Sequence, residues 1–311
     1  MYFKKAALTV SLAIATSLPL AAGTAAAEGT GGLGRLTGTD YSAGSPAMVG
    51  VNPVSGSVTG PLTQGAEDAV LSPGGTQVAF IRRQDTCIPQ TEGCAYGTDL
   101  VLAAADGGDP HVLVPGTGGG VPYAGHPDWS PDGQRIVYDT GAGLGWINAD
   151  GTGDELLTPY GRNGTFSPDG RSIAFLRSEY YETDEGWDLG TDIYLLDTVT
   201  REERQITTGH DVGSTPVDWS PDGSRIVFTT EHGLYTVDVA TGAITDLRGW
   251  TGVLSFLQTP VYSPDGSRIA FNAYDDTVGT RAAYVVDAAD GGNFRKLTDR
   301  PVTFTDWRAG E

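Results

Sequence analysis

The sequence predicts an all-β fold: a six-bladed β-propeller of four-stranded antiparallel blades, its ring closed by the C-terminal strand joining N-terminal strands. Three observations predict it. A Ser-Pro-Asp-Gly turn recurs along the chain. The same order of short strands follows each copy. The two ends of the chain each carry the part of a repeat that the other lacks.

The turn appears in "HPDWSPDGQRIVY", "TFSPDGRSIAF", "VDWSPDGSRIVF" and "VYSPDGSRIAF", with a looser copy at "VLSPGGTQVAF". The aligned serines are Ser72, Ser130, Ser167, Ser220 and Ser263, separated by 58, 37, 53 and 43 residues. Each unit opens on an apolar segment ending near an aromatic residue, such as Trp129, Phe166, Trp219 or Tyr262. Proline then presets the second turn position, aspartate bonds a following N–H, and glycine takes positive φ. A short alternating strand follows, such as "RIVYD" or "RIAFN", and after a variable loop a third, such as "DIYLLD" or "AAYVVD". A second turn leads to a fourth strand, such as "ELLTP" or "RKLTD". Four short strands in each repeat of this length make a propeller blade. The aspartates of the turn (Asp132, Asp169, Asp222, Asp265) read as turn chemistry, since Gly74 replaces them in the first copy.

The blade count comes from the ends. "PVTFTDWRAGE" repeats the Asp-Trp of the other units, with Arg308 at the serine position. The three residues after it and the 45 from Glu28 to Ser72 together make one more blade. Within that stretch "PAMVGVNPVSG" reads as a third strand and turn, and "SVTGPLTQG" as a fourth strand. The sixth blade is therefore expected to take its inner strand from 301–309 and its outer strands from about 33–65.

These "PDWSPDGxxIxF" segments resemble the Pro-Asp variant of WD-like repeats found in TolB-like propellers. The resemblance covers 69–308 directly and 33–65 by inference, and implies the fold. It implies little about function, because such propellers serve many purposes. TolB proteins carry an N-terminal α/β domain, for which no room is expected here, so a Tol-complex role is not carried over. Oligopeptidases with similar propellers carry a hydrolase domain, which is not expected after the last blade.

Residues 1–27 read as a secretory signal peptide: Lys4 and Lys5, an apolar run, and an Ala25-Ala26-Ala27 cleavage site. One propeller domain is expected over 28–311, in a bacterial, extracellular protein. The formal net charge is −20, and Lys296 is the one lysine outside the leader. Such acidity argues against nucleic-acid binding, which needs a basic stripe. No second run is long and apolar enough for membrane insertion. A monomer is expected. Cys87 and Cys94, close together in a polar stretch, are expected to form a local disulfide.

In a blade the first and third turns share one face, and the second turns and inter-blade links share the other. The second face collects the variable loops: 84–98, 115–126, 178–190, 208–216, 249–259 and 274–280. Binding usually sits on such loops. The candidate binding residues are Tyr123, His126, Tyr180, Tyr181, Asp184, Trp187, Asp188, His210, Asp211, Trp250, Tyr274 and Asp275. Aromatic rings among carboxylates suit cationic groups, peptides or sugars. Asp184, Asp188 and Asp192 are candidate calcium ligands. Oligogalacturonate lyases with related repeats hold a metal by channel histidines. That needs three or four ligands, and only His126 and His210 sit in links here. No G-x-S-x-G elbow marks a serine hydrolase, so no catalytic residue is assigned. The expected function is a secreted, non-enzymatic module that binds a protein, peptide or carbohydrate on its loop-rich face. The alternative is a polysaccharide lyase or glycosidase at the channel mouth, and a third is a purely structural module.

Overall fold

A computed structural model of the chain describes residues 34–309, except 43, 91–92, 117–122, 184–185, 209–211, 232 and 248–253. The expected leader, 1–27, lies outside the described residues. The described chain is all-β, with six four-stranded antiparallel sheets and no helix among the described residues. Strands β1 (Arg35–Asp40), β2 (Ala47–Val51) and β3 (Val58–Gln64) come first but belong to blade 6. Blade 1 is β4 (Glu67–Leu71), β5 (Gln77–Gln90), β6 (Gly93–Ala104) and β7 (His111–Val114). Blade 2 is β8 (Ala124–Trp129), β9 (Arg135–Thr140), β10 (Gly143–Asn148) and β11 (Glu155–Pro159). Blade 3 is β12 (Gly161–Phe166), β13 (Ser172–Thr183), β14 (Gly186–Asp197) and β15 (Glu203–Gln205). Blade 4 is β16 (Asp218–Trp219), β17 (Arg225–Thr229), β18 (Leu234–Asp238) and β19 (Ile244–Asp246). Blade 5 is β20 (Leu254–Tyr262), β21 (Arg268–Asp275), β22 (Thr280–Asp287) and β23 (Arg295–Thr298). The inner strand of blade 6 is β24 (Val302–Arg308), as the ends of the sequence imply.

The repeated turn has one geometry. In all five copies the glycine N–H donates to the serine carbonyl at 2.8 Å, as from Gly133 to Ser130. In the four copies with aspartate the serine Oγ donates to the carboxylate at 2.6 to 2.7 Å. These bonds hold Asp132, Asp169 and Asp222 below the usual carboxylate range. A Cβ placed on Gly133, Gly170, Gly223 or Gly266 would lie 3.4 to 3.8 Å from the proline ring of the preceding blade's turn. The turns thus pack edge to edge and use their polar groups internally.

The two ends meet as expected. Leu36 pairs with Trp307 and Asp40 with Val302. Arg300 bridges to the Asp40 carboxylate, and Thr305 Oγ1 donates to the Ala69 carbonyl at 2.7 Å. Asn272 of blade 5 accepts from the Phe304 N–H and donates to the Val302 carbonyl.

Two expected loops are strands. The described residues of these stretches, 84–90 and 93–98 in blade 1 and 178–183 and 186–190 in blade 3, continue the central hairpins, giving strands of 12 to 14 residues. Tyr, Thr and Trp favour extended backbone, and β13 pairs with β14 from Ser172–Asp197 to Thr183–Gly186 without a register shift. The disulfide therefore ties β5 to β6, with Cα atoms 5.3 Å apart, rather than pinning a loop.

Hairpin height alternates around the ring. The central strands of blades 1, 3 and 5 have 8 to 14 residues, and those of blades 2, 4 and 6 have 5 to 6. The short blades are also the ones whose inner strands carry Asp-Trp: Asp128-Trp129, Asp218-Trp219 and Asp306-Trp307. Trp129 Nε1 donates back to the Val70 carbonyl and Trp219 Nε1 to that of Thr165, each at 3.2 Å. Asp128 accepts forward from the Phe166 N–H at 2.8 Å and Asp218 from that of Tyr262 at 2.7 Å. Blades 2 and 4 are thereby tied to both neighbours.

Removing residues 301–311 tests the closure. Val302, Phe304 and Trp307 are buried, and burial of each stabilises by about 1.5–3 kcal/mol. Their joint loss is comparable to a typical net stability of about 5–15 kcal/mol. The truncated chain is expected to lose cooperative thermal unfolding by circular dichroism. A sharp transition within a few degrees of the intact protein would refute the closure.

Candidate functional site

The inner strands of all six blades line a central cavity of about 270 Å³. Two levels of side chains surround it. Nearer the Ser-Pro-Asp-Gly face lie Val70, Asp128, Thr165, Asp218, Val261 and Asp306, one from each blade. Two residues earlier in four of the strands, toward the loop-rich face, lie Asp68, His126, Asn163 and Thr259.

That upper level is strained. Asp68, His126, Asn163 and Thr259 have φ of 48°, 44°, 53° and 47°. Each falls inside a register shift of its inner strand, where a bulge re-aims the side chain. A non-glycine residue held there costs on the order of 1–3 kcal/mol, and such strain gathers at functional sites.

His126 is the centre of this level. Its Nδ1 lies 3.0 Å from Asp139 Oδ2 and its Nε2 3.7 Å from Asp68 Oδ2. The Tyr123 hydroxyl lies 3.4 Å from Nδ1. Burial works against the imidazolium, but the bond to Asp139 and the Asp68 charge outweigh it and push the pKa up to about 9. Asn163 locks the neighbouring blades: its N–H donates to Asp139 at 2.7 Å and its Nδ2 to the Ser214 carbonyl at 2.7 Å.

The lower level holds three carboxyls, from blades 2, 4 and 6. Burial raises all three. Asp128 is pushed up to about 6 and Asp218 to about 8, each helped by the Asp306 charge and opposed by its backbone bond. Arg308 contacts Asp306 and limits its rise.

The other sequence candidates divide into groups. Tyr123 joins His126 at the channel mouth, as above. Tyr180 and Trp187 stand on the β13–β14 hairpin, each 71% exposed. Asp188, also exposed, accepts the Leu189 N–H at 2.8 Å. Tyr181 lies back across Gly190, where a Cβ would meet its ring at 2.6 Å. Tyr274 is half-buried in β21. Asp275 is turned inward, accepting from the Thr277 N–H at 3.0 Å and the Tyr284 hydroxyl at 3.1 Å. Asp184, His210, Asp211 and Trp250 lie outside the described residues. Of the calcium candidates, Asp192 accepts from Thr207 Oγ1 at 2.8 Å. Along β14, Asp188 and Asp192 are spaced roughly 13 Å apart at about 3.3 Å per residue. Among the described residues no group of three or more His, Cys, Asp or Glu is placed to hold a metal ion.

Sequence reasoning missed Asp68, Asp139, Asn163 and the ring of Asp128, Asp218 and Asp306. A signal for the ring was present, in the Asp-Trp pair of alternate repeats. Nothing comparable marked Asp68 or Asp139, whose role comes from blades meeting at the mouth.

The raised groups make stability pH-dependent with one sign. Asp218 titrates near 3.8 when exposed and near 8 in the fold, so the native state holds the extra proton between these values. Stability is fully present below the lower value and falls as pH rises through the upper. His126, moved from 6.5 to about 9, acts in the same direction. The melting temperature is expected to fall from about pH 5 to about pH 9. Asp218→Asn, which keeps an acceptor for the Tyr262 N–H, should melt above the native protein at about pH 8 and near it at about pH 4. Equal slopes for the two proteins would show that Asp218 is ionised in the fold.

No family model matches the chain. TolB of the Tol-Pal system from Francisella tularensis subsp. holarctica is 30% identical over 198 residues, 60% of this chain and 42% of the relative. The chain thus spans about two fifths of the length of that curated relative. A solved structure described as TolB from Agrobacterium tumefaciens superposes with a TM-score of 0.60 at 20% identity, over 87% of this chain and 91% of that one. An oligogalacturonate lyase in complex with manganese superposes at 0.52 with 18% identity, over 77% and 70% of the two chains. The chain is a six-bladed β-propeller closed by its two ends, and it resembles TolB in sequence over 198 residues and in fold.

Proposed function

We propose that this propeller is an exported binding module that captures a protein or peptide ligand on its loop-rich face. One observation carries the reading: the two faces are chemically unequal. The Ser-Pro-Asp-Gly face spends its serine and aspartate groups on its own turns. The opposite face carries the tall hairpins, the exposed Tyr180 and Trp187, and the opening lined by Asp68, His126 and Asn163. The likeness to a Tol-Pal system protein supports a binding role. Export rests on the leader expected at 1–27, and a monomer on the self-repulsion of a net charge of −20.

A second reading, acid–base catalysis by a lyase or glycosidase at the channel mouth, draws on His126 between two carboxylates and on acids contributed by several blades. Electrostatics weigh against the polyuronate form of it. An anionic chain would meet Asp68 at the mouth of a strongly acidic protein. The backbone bonds of Asp128 and Asp218 also commit those groups to the fold.

Immobilised protein incubated with culture fluid of the source organism is expected to retain a partner. Replacing 178–190 by a short Gly-Ser turn should abolish that capture. Gln134→Arg and Val199→Arg, exposed on the opposite face, should leave it intact. The reverse pattern would assign binding to the wrong face.

A further inference from the structure

Among the described residues, the central hairpin of blade 4 sits low between two taller neighbours. Its central hairpin ends at the Thr229–Leu234 pair. In blade 3 the equivalent residue of β13 is Leu176, and the strand runs seven residues further, to Thr183. In blade 5 the equivalent is Asn272, and β21 runs on to Asp275. At about 3.3 Å per residue the two walls stand roughly 20 Å and roughly 10 Å above blade 4. Among the described residues this difference in height forms a notch beside Ser214 and Thr215, which line the central cavity.

The face of blade 3 on the blade 4 side can be followed upward residue by residue. Ala174, Leu176, Ile193 and Leu195 pack against Trp219, Ile226 and Phe228 of blade 4. The pairing of β13 with β14 holds one register throughout, so the same face continues through Ser178–Thr191, Tyr180–Leu189 and Glu182–Trp187. Ser178 and Thr191 bond each other at 2.9 Å and end the buried part. Above them Tyr180, Leu189 and Trp187 are 71%, 52% and 71% exposed. This is an apolar ladder built as a blade face, at a height that the described residues of blade 4 do not reach. Across the notch, Phe256 and Val278 of blade 5 are also exposed.

The charge is one-sided. From Ser178 to Leu189, the part that rises above blade 4, the sequence holds five acidic residues and no Lys or Arg. A second copy of the chain, also at −20, would be repelled.

Resting on the binding role proposed above, we propose that the notch over blade 4 docks an extended, cationic segment of a partner protein. Its aliphatic or aromatic side chains pack on Tyr180, Leu189 and Trp187, and its Lys or Arg groups meet Glu182 and the acidic hairpin. Alternation suits the geometry, because an extended segment turns successive side chains to opposite sides.

A fluorescein-labelled peptide of alternating lysine and leucine is the probe, read by anisotropy against the full-length protein. Controls are its glutamate–leucine counterpart and a neutral glucan oligosaccharide added as competitor. The basic peptide is expected to bind, more weakly as salt rises, and the acidic one not to. Trp187→Ala and Tyr180→Ser should each weaken binding about tenfold, and Glu182→Lys at least as much. Val199→Ser, 84% exposed on the other face, should not change it. Unchanged melting temperatures confirm that each variant folds. Equal binding by all variants, equal binding of the acidic peptide, or displacement by the glucan would each overturn the proposal. The natural partner separates this from failure of the wider reading. If its capture depends on Asp68 and His126 but not on Trp187, the face is right and the notch wrong. If it depends on neither, both fail.

Discussion

Because each blade buries both faces against neighbours, the antiparallel pairing of β24 with β1 is the constraint on which every other contact depends. Without it two apolar faces and an open sheet edge would meet water. The pairing is supported from both sides: Asn272 of blade 5 holds the backbone of β24, and Thr305 reaches the backbone of blade 1. The core is accordingly a set of clusters, each mostly shared by two adjacent blades.

Within the closed ring, the blades form a two-step alternation. Short blades carry Asp-Trp on the inner strand, and tall blades do not. The indole of a short blade bonds the blade behind it and the carboxyl bonds the blade ahead, as seen for blades 2 and 4. A buried aspartate is costly, and the raised positions of Asp128 and Asp218 register that cost. The return is that a buried backbone N–H of the next inner strand has an acceptor, where leaving it unpaired would cost about 1–3 kcal/mol.

The same architecture separates support from function. One face is closed by turns that satisfy themselves. The other inherits every irregularity: strained bulges at Asp68, His126, Asn163 and Thr259, hairpins of unequal height, and an exposed ladder where a tall blade stands beside a short one. A propeller tolerates this because the central hairpins can lengthen outward without altering the buried layers that hold the ring together.

Most of the fold was legible in the sequence, because turn chemistry is local. Ser-Pro-Asp-Gly dictates its own hydrogen bonds within a few residues, and a repeat of local units fixes the blades and their count. The two-ended sixth blade followed from length and from the lone Asp306-Trp307. The sequence also placed His126 at the channel mouth and Tyr180 and Trp187 on the loop-rich face. It misread 84–98 and 178–190 as loops, since an acidic, exposed stretch lacks the apolar alternation that marks a half-buried strand. Only the tertiary structure could bring Asp68, His126 and Asp139 together, or turn Asp275 inward toward Tyr284. Those arrangements depend on how blades and strands distant in sequence face one another, and no short-range pattern records that distance.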